Sequence, residues 1–164
     1  MKIIKEIIPY VIILILVVSI RSFIVTPVRV IGSSMDPTLL EDEILILNKY
    51  DKSYNRFDIV VLKYDNSKLI KRVIGLPGEH VKYVDNKLYI NNEIVEENFI
   101  GTTTNDFDLK SLNADVIPKG YYFVMGDNRN NSTDSRIFGL VSKDDMMGTT
   151  TFALFPFKRF GFIG

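Results

Sequence analysis

The sequence predicts a mostly β domain with mixed, largely antiparallel strand pairing, preceded by one N-terminal transmembrane helix. Two observations lead to this fold class. The most apolar stretch of the chain lies within the first 28 residues, and short β-branched segments separated by polar breaks follow it. Beyond the N-terminus, helix is expected only as single turns near Pro37 and Lys143–Met146. The length of 164 residues suits one moderate domain plus an appendage.

Composition excludes several classes of function. The chain has 20 basic and 20 acidic residues and therefore no net charge, which argues against a general nucleic-acid-binding surface. Cysteine is absent, so disulfides, thiolate nucleophiles and cysteine-ligated metal sites are all excluded. His80 is the one histidine, which excludes a histidine-rich metal site. We therefore expect no metal, no cofactor and no nucleic-acid partner.

The N-terminal apolar stretch predicts a membrane anchor. Ile7–Ile20 contains 14 residues without a charge, but 14 helical residues reach only about 21 Å, less than a hydrocarbon core of about 30 Å. Ile3–Val25 is long enough if Lys5 and Arg21 extend toward opposite head-group layers. Two alternatives are a cleavable signal, although no small-residue cleavage site follows, and a buried core helix, although no amphipathic period is present.

Beyond the anchor, six segments read as strands or strand pairs. One of them contains the turn pairs Asp85-Asn86 and Asn91-Asn92, which predict a meander with tight turns. The stretch Gly101–Val116 has few large apolar residues and is expected to be a surface excursion. The predicted segments are Glu43–Tyr50, Phe57–Tyr64, Lys68–Leu76, Val81–Val95, Gly120–Asn128 and Thr149–Phe157.

A serine-rich turn, "GSSMDPTLL", directly follows the anchor. Asp36 followed by Pro37 resembles a helix N-cap with proline at the first helical position, so a short helical turn is expected just after Ser34. Ser33 and Ser34 either begin this turn and do nothing more, or one of them is a nucleophile. A serine nucleophile needs a base, which must come from elsewhere in the chain.

A lysine in an apolar strand supplies a candidate base. In "LIKRVIGLPGE", strand alternation places Lys71 on one face and Arg72 on the other, so the two cations point in opposite directions. Burial would lower the pKa of Lys71, and a neutral amine can accept the proton of a serine. The alternative is a lysine on an exposed sheet face.

A polar loop, "MGDNRNNSTDSR", follows the strand that begins at Gly120. It combines carboxylates, two arginines, hydroxyls and amides at a density suited to holding another loop or side chain in one orientation. The alternative is an ordinary solvated turn.

These stretches, their order and the apolar segment ahead of them resemble the bacterial type I signal peptidase family, which are membrane-anchored Ser–Lys endopeptidases. The resemblance rests on "GSSMDPTL", "FDIVVLKY", "LIKRVIGLPG" and "GDNRNNSTDSR" and covers nearly the whole chain. The chain lacks the second membrane segment and large β insertion of the longer members, so it resembles the compact Gram-positive-like form. The resemblance implies a fold shared with self-cleaving repressors.

The resemblance assigns Ser34 as the nucleophile and Lys71 as the general base. It assigns Ser132 as the hydroxyl that orients the lysine amine. The Ser34 backbone N–H matches one oxyanion donor, which stabilises charge that develops in the tetrahedral intermediate. Some members carry a second, hydroxyl-bearing donor where this chain has Gly32, so that donor must here be a backbone group or a water.

The resemblance also implies two supporting acid–base pairs. Asp134 matches the partner of Arg136. Asp127 matches the partner of Arg72, in a pair that braces the lysine strand against the polar loop. Phe57 stands where the family often has glycine, and His80 lies nine residues beyond the lysine position, so it is expected to be a surface or hairpin residue.

The implied activity is removal of N-terminal signal peptides from exported preproteins after a small residue. Met35, Leu39 and Ile70 flank the proposed dyad and are candidates for shallow apolar substrate pockets. Two other readings remain: a self-cleaving repressor domain, which would carry a DNA-binding headpiece, and a membrane-tethered β domain that binds partners without catalysis.

The implied organisation is a cytoplasmic tail and membrane anchor over residues 1–27 and an extracytoplasmic peptidase domain over residues 28–164. We expect a single pass through the cell membrane with a cytoplasmic N-terminus. Basic residues on the two sides of the anchor almost balance, so this orientation rests on where signal peptides are cut. The expected partners are signal peptides, the lipid bilayer and, through the resemblance, the secretion translocon.

Overall fold

The computed structural model describes residues 2–50, 52–100 and 102–163, which form one long helix followed by two antiparallel sheets. The helices are α1 (Lys2–Phe23) and the four-residue α2 (Ser135–Phe138). The strands are, in chain order, β1 (Val25–Arg29), β2 (Ile44–Asn48), β3 (Ile59–Tyr64), β4 (Ser67–Gly75), β5 (Val81–Val84), β6 (Lys87–Ile90), β7 (Glu93–Val95), β8 (Phe107–Asp108), β9 (Tyr121–Met125), β10 (Val141–Ser142), β11 (Met146–Phe155) and β12 (Gly161–Phe162).

The larger sheet has eight strands in the order β1-β2-β11-β3-β4-β9-β10, with β12 paired to β11. The smaller sheet has the order β7-β6-β5-β8. Every strand pairing in the described ranges is antiparallel, so the mostly β prediction is confirmed and the expected mixed pairing is wrong. Short connections account for the hairpins β3–β4, β5–β6 and β6–β7, because parallel neighbours would need long crossovers.

The smaller sheet contains the predicted meander. The residues of the turn pairs Asp85-Asn86 and Asn91-Asn92 all have positive φ, from 48° to 70°. Two such residues in a two-residue hairpin match the twist of the flanking strands, and asparagine and aspartate tolerate this conformation well. The tight turns predicted between β5, β6 and β7 are therefore confirmed.

The segment 101–116 is not wholly a surface excursion. Phe107–Asp108 forms β8 and pairs with β5, and Leu109 in the following 3-10 turn is fully buried. Asp108 caps that turn by accepting a hydrogen bond from the Lys110 N–H. A single buried leucine in a polar segment produces no periodic pattern, so the contact between Leu109 and the core could not be predicted from the sequence.

The apolar N-terminal stretch divides into helix and strand. α1 ends at Phe23, and β1 begins at Val25 and pairs with β2, so the larger sheet starts within the stretch that reads as continuous in the sequence. The described apolar side chains of α1 are exposed, among them Tyr10 at 73% and Leu14 at 63%. Within the described part of the chain, no helix combines the length and apolar character that a membrane crossing requires.

Candidate active site

The serine turn and the strand β4 of the larger sheet meet at Ser34 and Lys71. Lys71 lies on β4 with only 2% of its surface exposed. Its Nζ lies 2.6 Å from Ser34 Oγ, within hydrogen-bonding distance. The two residues are 37 positions apart in sequence, so only the fold brings them together. The contact between a serine hydroxyl and a buried amine is the geometry that a Ser–Lys nucleophile needs.

The surroundings of Lys71 favour its neutral form. Burial lowers the pKa of Lys71 from its ordinary value of 10.5 to about 8. The carboxylates of Asp134 and Asp127 oppose that shift, and the cation of Arg136 adds to it. Arg72 is not among the charges that shift this pKa, because strand alternation turns it to the opposite face. A substantial fraction of Lys71 is therefore neutral near pH 8.

The polar loop holds the serine turn in place. The Ser34 carbonyl accepts a hydrogen bond from the Asn128 N–H at 3.0 Å, and the Ser33 carbonyl accepts one from Asn128 Nδ2 at 3.1 Å. Asn131 Nδ2 donates to Ser33 Oγ at 2.9 Å. The polar loop thus orients the turn that carries Ser34, as the residue density of the loop suggested.

The helical turn expected at Asp36 and Pro37 forms only as a single hydrogen-bonded turn and does not continue as a helix. Residues 34–38 form an irregular turn, closed by hydrogen bonds from the Asp36 N–H to the Ser33 carbonyl and from the Leu39 N–H to the Met35 carbonyl. The Ser33 carbonyl accepts both from the Asp36 N–H and from Asn128 Nδ2, and the Ser34 carbonyl accepts from the Asn128 N–H, so local and tertiary bonds hold the turn together.

One candidate oxyanion donor is available next to the nucleophile. The Ser34 N–H donates to no acceptor within the described ranges. Gly32, two residues earlier, has a φ of +79°, and a Cβ there would meet nothing within 4 Å. The chain at Gly32 is therefore open toward the cleft, and its conformation favours glycine.

Ser132 lies at the dyad without making the expected hydrogen bond. Its Oγ is buried and has no hydrogen-bond partner among the described residues, so the predicted bond to the lysine amine is not formed. Ser132, Ser34 and Lys71 line the same cleft. Gly126 separates Ser132 from the Ser34 carbonyl, with no room for a side chain between them. A buried hydroxyl without a partner at this position is available to a nearby amine or a water.

Asp134 and Arg136 form an ion pair beside Lys71. Asp134 is fully buried and caps α2, where it accepts from the Arg136 N–H. Its carboxylate also pairs with the Arg136 guanidinium at 2.8 Å and accepts from the Gly126 N–H at 3.1 Å. Arg136 Nη2 donates to the Arg129 carbonyl at 2.8 Å. The pair therefore fixes both ends of the polar loop.

Arg72 and Asp127 form the second ion pair. Arg72 donates to both carboxylate oxygens of Asp127, at 2.9 and 2.6 Å, and both side chains are buried. Its guanidinium also donates to the Phe57 carbonyl and lies 3.9 Å from the centre of the Phe99 ring. This bidentate geometry ties β4 to the polar loop.

The three predicted pocket residues separate into two environments. Met35 and Leu39 are buried in the hydrophobic core with 1% and 0% of their surfaces exposed, so neither lines an open pocket. In the turn that carries them, the Ser34 side chain points to the cleft and the Met35 and Leu39 side chains pack into the core. The sequence did not reveal this division. Ile70 does line an open groove.

That groove lies between two strands with unpaired edges. β1 is an edge strand of the larger sheet, and the first half of β4, over residues 67–71, pairs only with β3. The groove leads toward the cleft that contains the dyad, and its lining residues are Pro27, Val28, Arg29, Ile31, Val61, Asn66, Ser67, Lys68, Leu69 and Ile70.

A buried network around Arg129 was missed by sequence reasoning. Arg129 pairs with Glu97 and donates to Tyr83 Oη at 3.0 Å and to the Gly126 carbonyl at 3.0 Å. Burial, the largest effect, raises the pKa of Tyr83 well above its ordinary value. Arg129 stands in the quoted "GDNR", but its partners come from the smaller sheet and carry no motif of their own.

No group of three or more potential ligands in the described ranges could hold a metal ion. His80 Nε2 lies 3.3 Å from Asp108, and His80 Nδ1 lies 2.7 Å from the Asp115 carbonyl.

Comparison with known proteins gives a consistent result. A family model described as signal peptidase, peptidase S26, matches residues 3–155. The chain is 41% identical over 161 residues to signal peptidase I P of Bacillus subtilis subsp. natto, covering 91% of this chain and 87% of that protein. It is 37% identical over 156 residues to signal peptidase IB of Staphylococcus aureus strain N315, covering 84% of this chain and 82% of that protein.

A solved structure shows the same fold. The crystal structure of a signal peptidase I from Enterococcus faecalis V583 matches with a TM-score of 0.55 and 37% sequence identity. The match covers 58% of this chain and 94% of the Enterococcus chain.

Proposed function

This chain belongs to the signal peptidase family, peptidase S26, and we propose that it is a membrane-bound endopeptidase that removes signal peptides from exported preproteins with a Ser34–Lys71 dyad. Membership makes the chain an enzyme, a hydrolase of the serine protease class. The observation that carries the dyad proposal is the 2.6 Å contact between Lys71 Nζ and Ser34 Oγ, together with the lowered pKa of Lys71.

The dyad acts in two half-reactions. Neutral Lys71 accepts the proton of Ser34 Oγ while that oxygen attacks the scissile carbonyl carbon, giving a tetrahedral intermediate. The intermediate breaks its C–N bond as Lys71 returns the proton to the leaving amine, and the signal peptide remains as an ester on Ser34. Lys71 then takes a proton from a water, which attacks the ester carbonyl carbon. The ester C–O bond breaks as Lys71 returns this proton to Ser34 Oγ, so the signal peptide leaves with a new carboxyl group and the dyad is restored.

Charge on the carbonyl oxygen is stabilised by the Ser34 N–H, a donor that has no acceptor among the described residues. Gly32 keeps the approach to this donor open, and the second donor is a backbone group or a water. The oxygen develops its negative charge only after attack, so this donor lowers the barrier to the chemical step.

Five side chains position the dyad in this proposal. Ser132 donates to or accepts from the Lys71 amine once a substrate closes the cleft. The Asp134–Arg136 pair holds the polar loop, and Arg72 with Asp127 holds β4 against that loop. None of these five residues contacts the scissile C–N bond or the ester bond to Ser34, so they act by fixing the positions of Lys71 and Ser34.

An extended substrate segment fits the groove between β1 and β4. Both strands present unpaired backbone groups to it, which is the arrangement for adding a peptide strand to a sheet. Side chains one and three positions before the cut lie on the same face of an extended peptide, so both point into the groove. We expect small residues at these two positions, with Ile70 as one wall.

The specificity proposal is tested with a preprotein whose signal peptide ends in small residues. A matched substrate carries large residues at the positions one and three before the cut. Cleavage of the first substrate and at least tenfold slower cleavage of the second is the expected result. Equal turnover of both substrates would contradict the proposed selection.

The location proposed for this chain is the cell membrane, with a single pass. Residues 1–27 hold the cytoplasmic tail and anchor, with the first three residues of β1 at their end, and residues 28–164 form an extracytoplasmic peptidase domain in contact with the bilayer and near the translocon. The exposed apolar side chains along α1 support the anchor. Signal peptides are cut on the far side of the membrane, so Ser34 faces outward close to the lipid surface.

Added protease tests this orientation in wall-stripped, intact cells. We expect digestion of the β domain, whereas digestion of the N-terminal tail alone would overturn both orientation and function. The reading as a non-catalytic binding module is tested by Ser34→Ala. An enzyme loses preprotein cleavage with this change, whereas a binding module keeps its phenotype.

A further inference from the structure

The last residues of the chain form a strap behind the serine turn. We define the C-terminal strap as residues 156–163, which follow β11 and lie beyond the region that matches the family model, residues 3–155. A 3-10 turn, Phe157–Arg159, begins it, and β12 pairs back onto β11. The Ile163 N–H donates to the Thr151 carbonyl at 2.9 Å. The strap is therefore fixed to the larger sheet at its far end.

One side chain of the strap reaches the serine turn. Arg159 Nη2 donates to the Thr38 carbonyl at 2.6 Å, four residues after the nucleophile Ser34. Arg159 Nε lies 2.6 Å from Glu43 Oε1. The Glu43 side chain is 1% exposed and its oxygens have no hydrogen-bond partner among the described residues, so the ion pair with Arg159 provides the charge that a buried carboxylate requires. Two different nitrogens of one guanidinium thus make the two contacts.

The turn is held on both sides of the nucleophile. Before Ser34, the Val30 N–H donates to the Glu43 carbonyl at 2.8 Å. After it, Arg159 holds the Thr38 carbonyl, and Arg72 Nη2 donates to Thr38 Oγ1 at 3.3 Å. Glu43 therefore contacts both sides of the turn. Its backbone carbonyl accepts from Val30 before the turn, and its carboxylate pairs with Arg159, which holds the end of the turn.

We propose that Arg159 is a positioning residue, which holds the turn that presents Ser34 Oγ and the Ser34 N–H to the substrate. This inference rests on the proposed peptidase function. Releasing the Thr38 carbonyl removes the shorter of the two bonds at this end of the turn, and the nucleophile and the oxyanion donor then shift relative to Lys71. A misplacement of about 1 Å costs on the order of a hundredfold in rate.

The test compares Arg159→Lys, Arg159→Met and the matched control Lys158→Met in the full-length chain. Lysine keeps a positive charge for Glu43 but replaces the planar fork by a single ammonium. Lys158 lies next to Arg159, is exposed, and has no hydrogen bond or ion pair within the described ranges. Cleavage of a peptide that spans a signal-peptide cut site gives kcat and KM, and thermal melting gives the fraction folded.

For Arg159→Lys we expect kcat to fall at least tenfold, with KM within about twofold of wild type and a melting temperature that keeps the protein folded in the assay. The pH midpoint of activity should stay near that of wild type, because Arg159 does not act on the pKa of Lys71. Lys158→Met should match wild type. If Arg159→Met does not fold, the kcat and KM of Arg159→Lys alone test the proposal.

Three results would overturn the proposal. These are an unchanged kcat in Arg159→Lys, a rise in KM alone, and an equal loss of kcat in Lys158→Met. All three are distinguishable from failure of the proposed function, in which wild type itself cleaves no signal peptide or Ser34→Ala remains active.

Discussion

Replacing Gly126 by alanine places one methyl group between the nucleophile turn and the polar loop. A Cβ at Gly126 would lie 2.7 Å from Ser132 Cβ and closer still to the Ser34 carbonyl oxygen and Ser132 Oγ. Carbon atoms in contact are normally about 3.5 Å or more apart, so the two sides must separate by about 1 Å. Ser132 Oγ can rotate, but the Ser34 carbonyl is backbone and is bonded to the Asn128 N–H.

A displacement of this size has a large catalytic cost. Moving Ser34 by about 1 Å relative to Lys71 should lower kcat roughly a hundredfold, with a smaller effect on KM. Overpacking of this kind also lowers the free energy of unfolding by about 1–3 kcal/mol. Peptide cleavage at a temperature where the variant is folded, with melting followed in parallel, separates these two effects.

Gly75→Ala is the matched control. A Cβ at Gly75 would lie 2.5 Å from both Ile117 Cδ1 and Val81 Cγ2, so it overpacks the core beneath the smaller sheet without touching the dyad. It should lose stability to a similar extent and keep kcat within about threefold. A Gly126→Ala enzyme with wild-type kcat, or a Gly75→Ala enzyme with an equal loss, would refute the reasoning.

Three further predictions concern the charges and the hydroxyl at the dyad. Burial holds the pKa of Lys71 near 8 in the folded state, against 10.5 ordinarily, so below pH 8 the folded state bears the full cost of a buried charge, and the free energy of unfolding rises from pH 8 to 10.5. Lys71→Met removes that charge and should raise the free energy of unfolding at pH 7 by roughly 1–3 kcal/mol, measured by urea titration. A lower free energy of unfolding in this variant would contradict the prediction. Arg136→Met removes a cation that lowers the pKa of Lys71, so the midpoint of a pH–rate profile should move up, and a downward move would count against it. Ser132→Ala should lower kcat less than Ser34→Ala in the same peptide assay, because both reacting groups remain; equal losses would make Ser132 indispensable.

The sequence predicted the parts of the site that depend on local patterns. Strand alternation placed Lys71 and Arg72 on opposite faces of β4, and the structure shows Arg72 paired with Asp127 while Lys71 lies against Ser34. Alternation is a property of the strand itself, so it can be read without the partner. The resemblance to a known family, and not the local pattern, identified Ser34 as the partner of Lys71, because two residues 37 positions apart produce no local sequence pattern.

Other features escaped because tertiary contacts decide them. The turn after Ser34 reads as the start of a helix, yet it closes after one turn, and Asn128 bonds the Ser33 and Ser34 carbonyls that lead into it. Phe57 has a φ of 72°, a conformation that favours glycine, and the Arg72 guanidinium bonds its carbonyl. The Arg129–Glu97 pair joins two segments 32 residues apart, with no motif at Glu97. In each case the sequence shows a residue, and the fold supplies its partner.

The measurement that tests the dyad most directly is a pH–rate profile of preprotein cleavage for wild type, Lys71→Arg and Ser34→Ala. Wild-type activity should rise with pH through about 8, as Lys71 loses its proton. Lys71→Arg should be inactive throughout, because a guanidinium stays protonated and cannot accept the Ser34 proton, and Ser34→Ala should be inactive because it has no nucleophile. Full activity in Lys71→Arg, or a wild-type rate that is flat from pH 6 to 10, would contradict the Ser–Lys account.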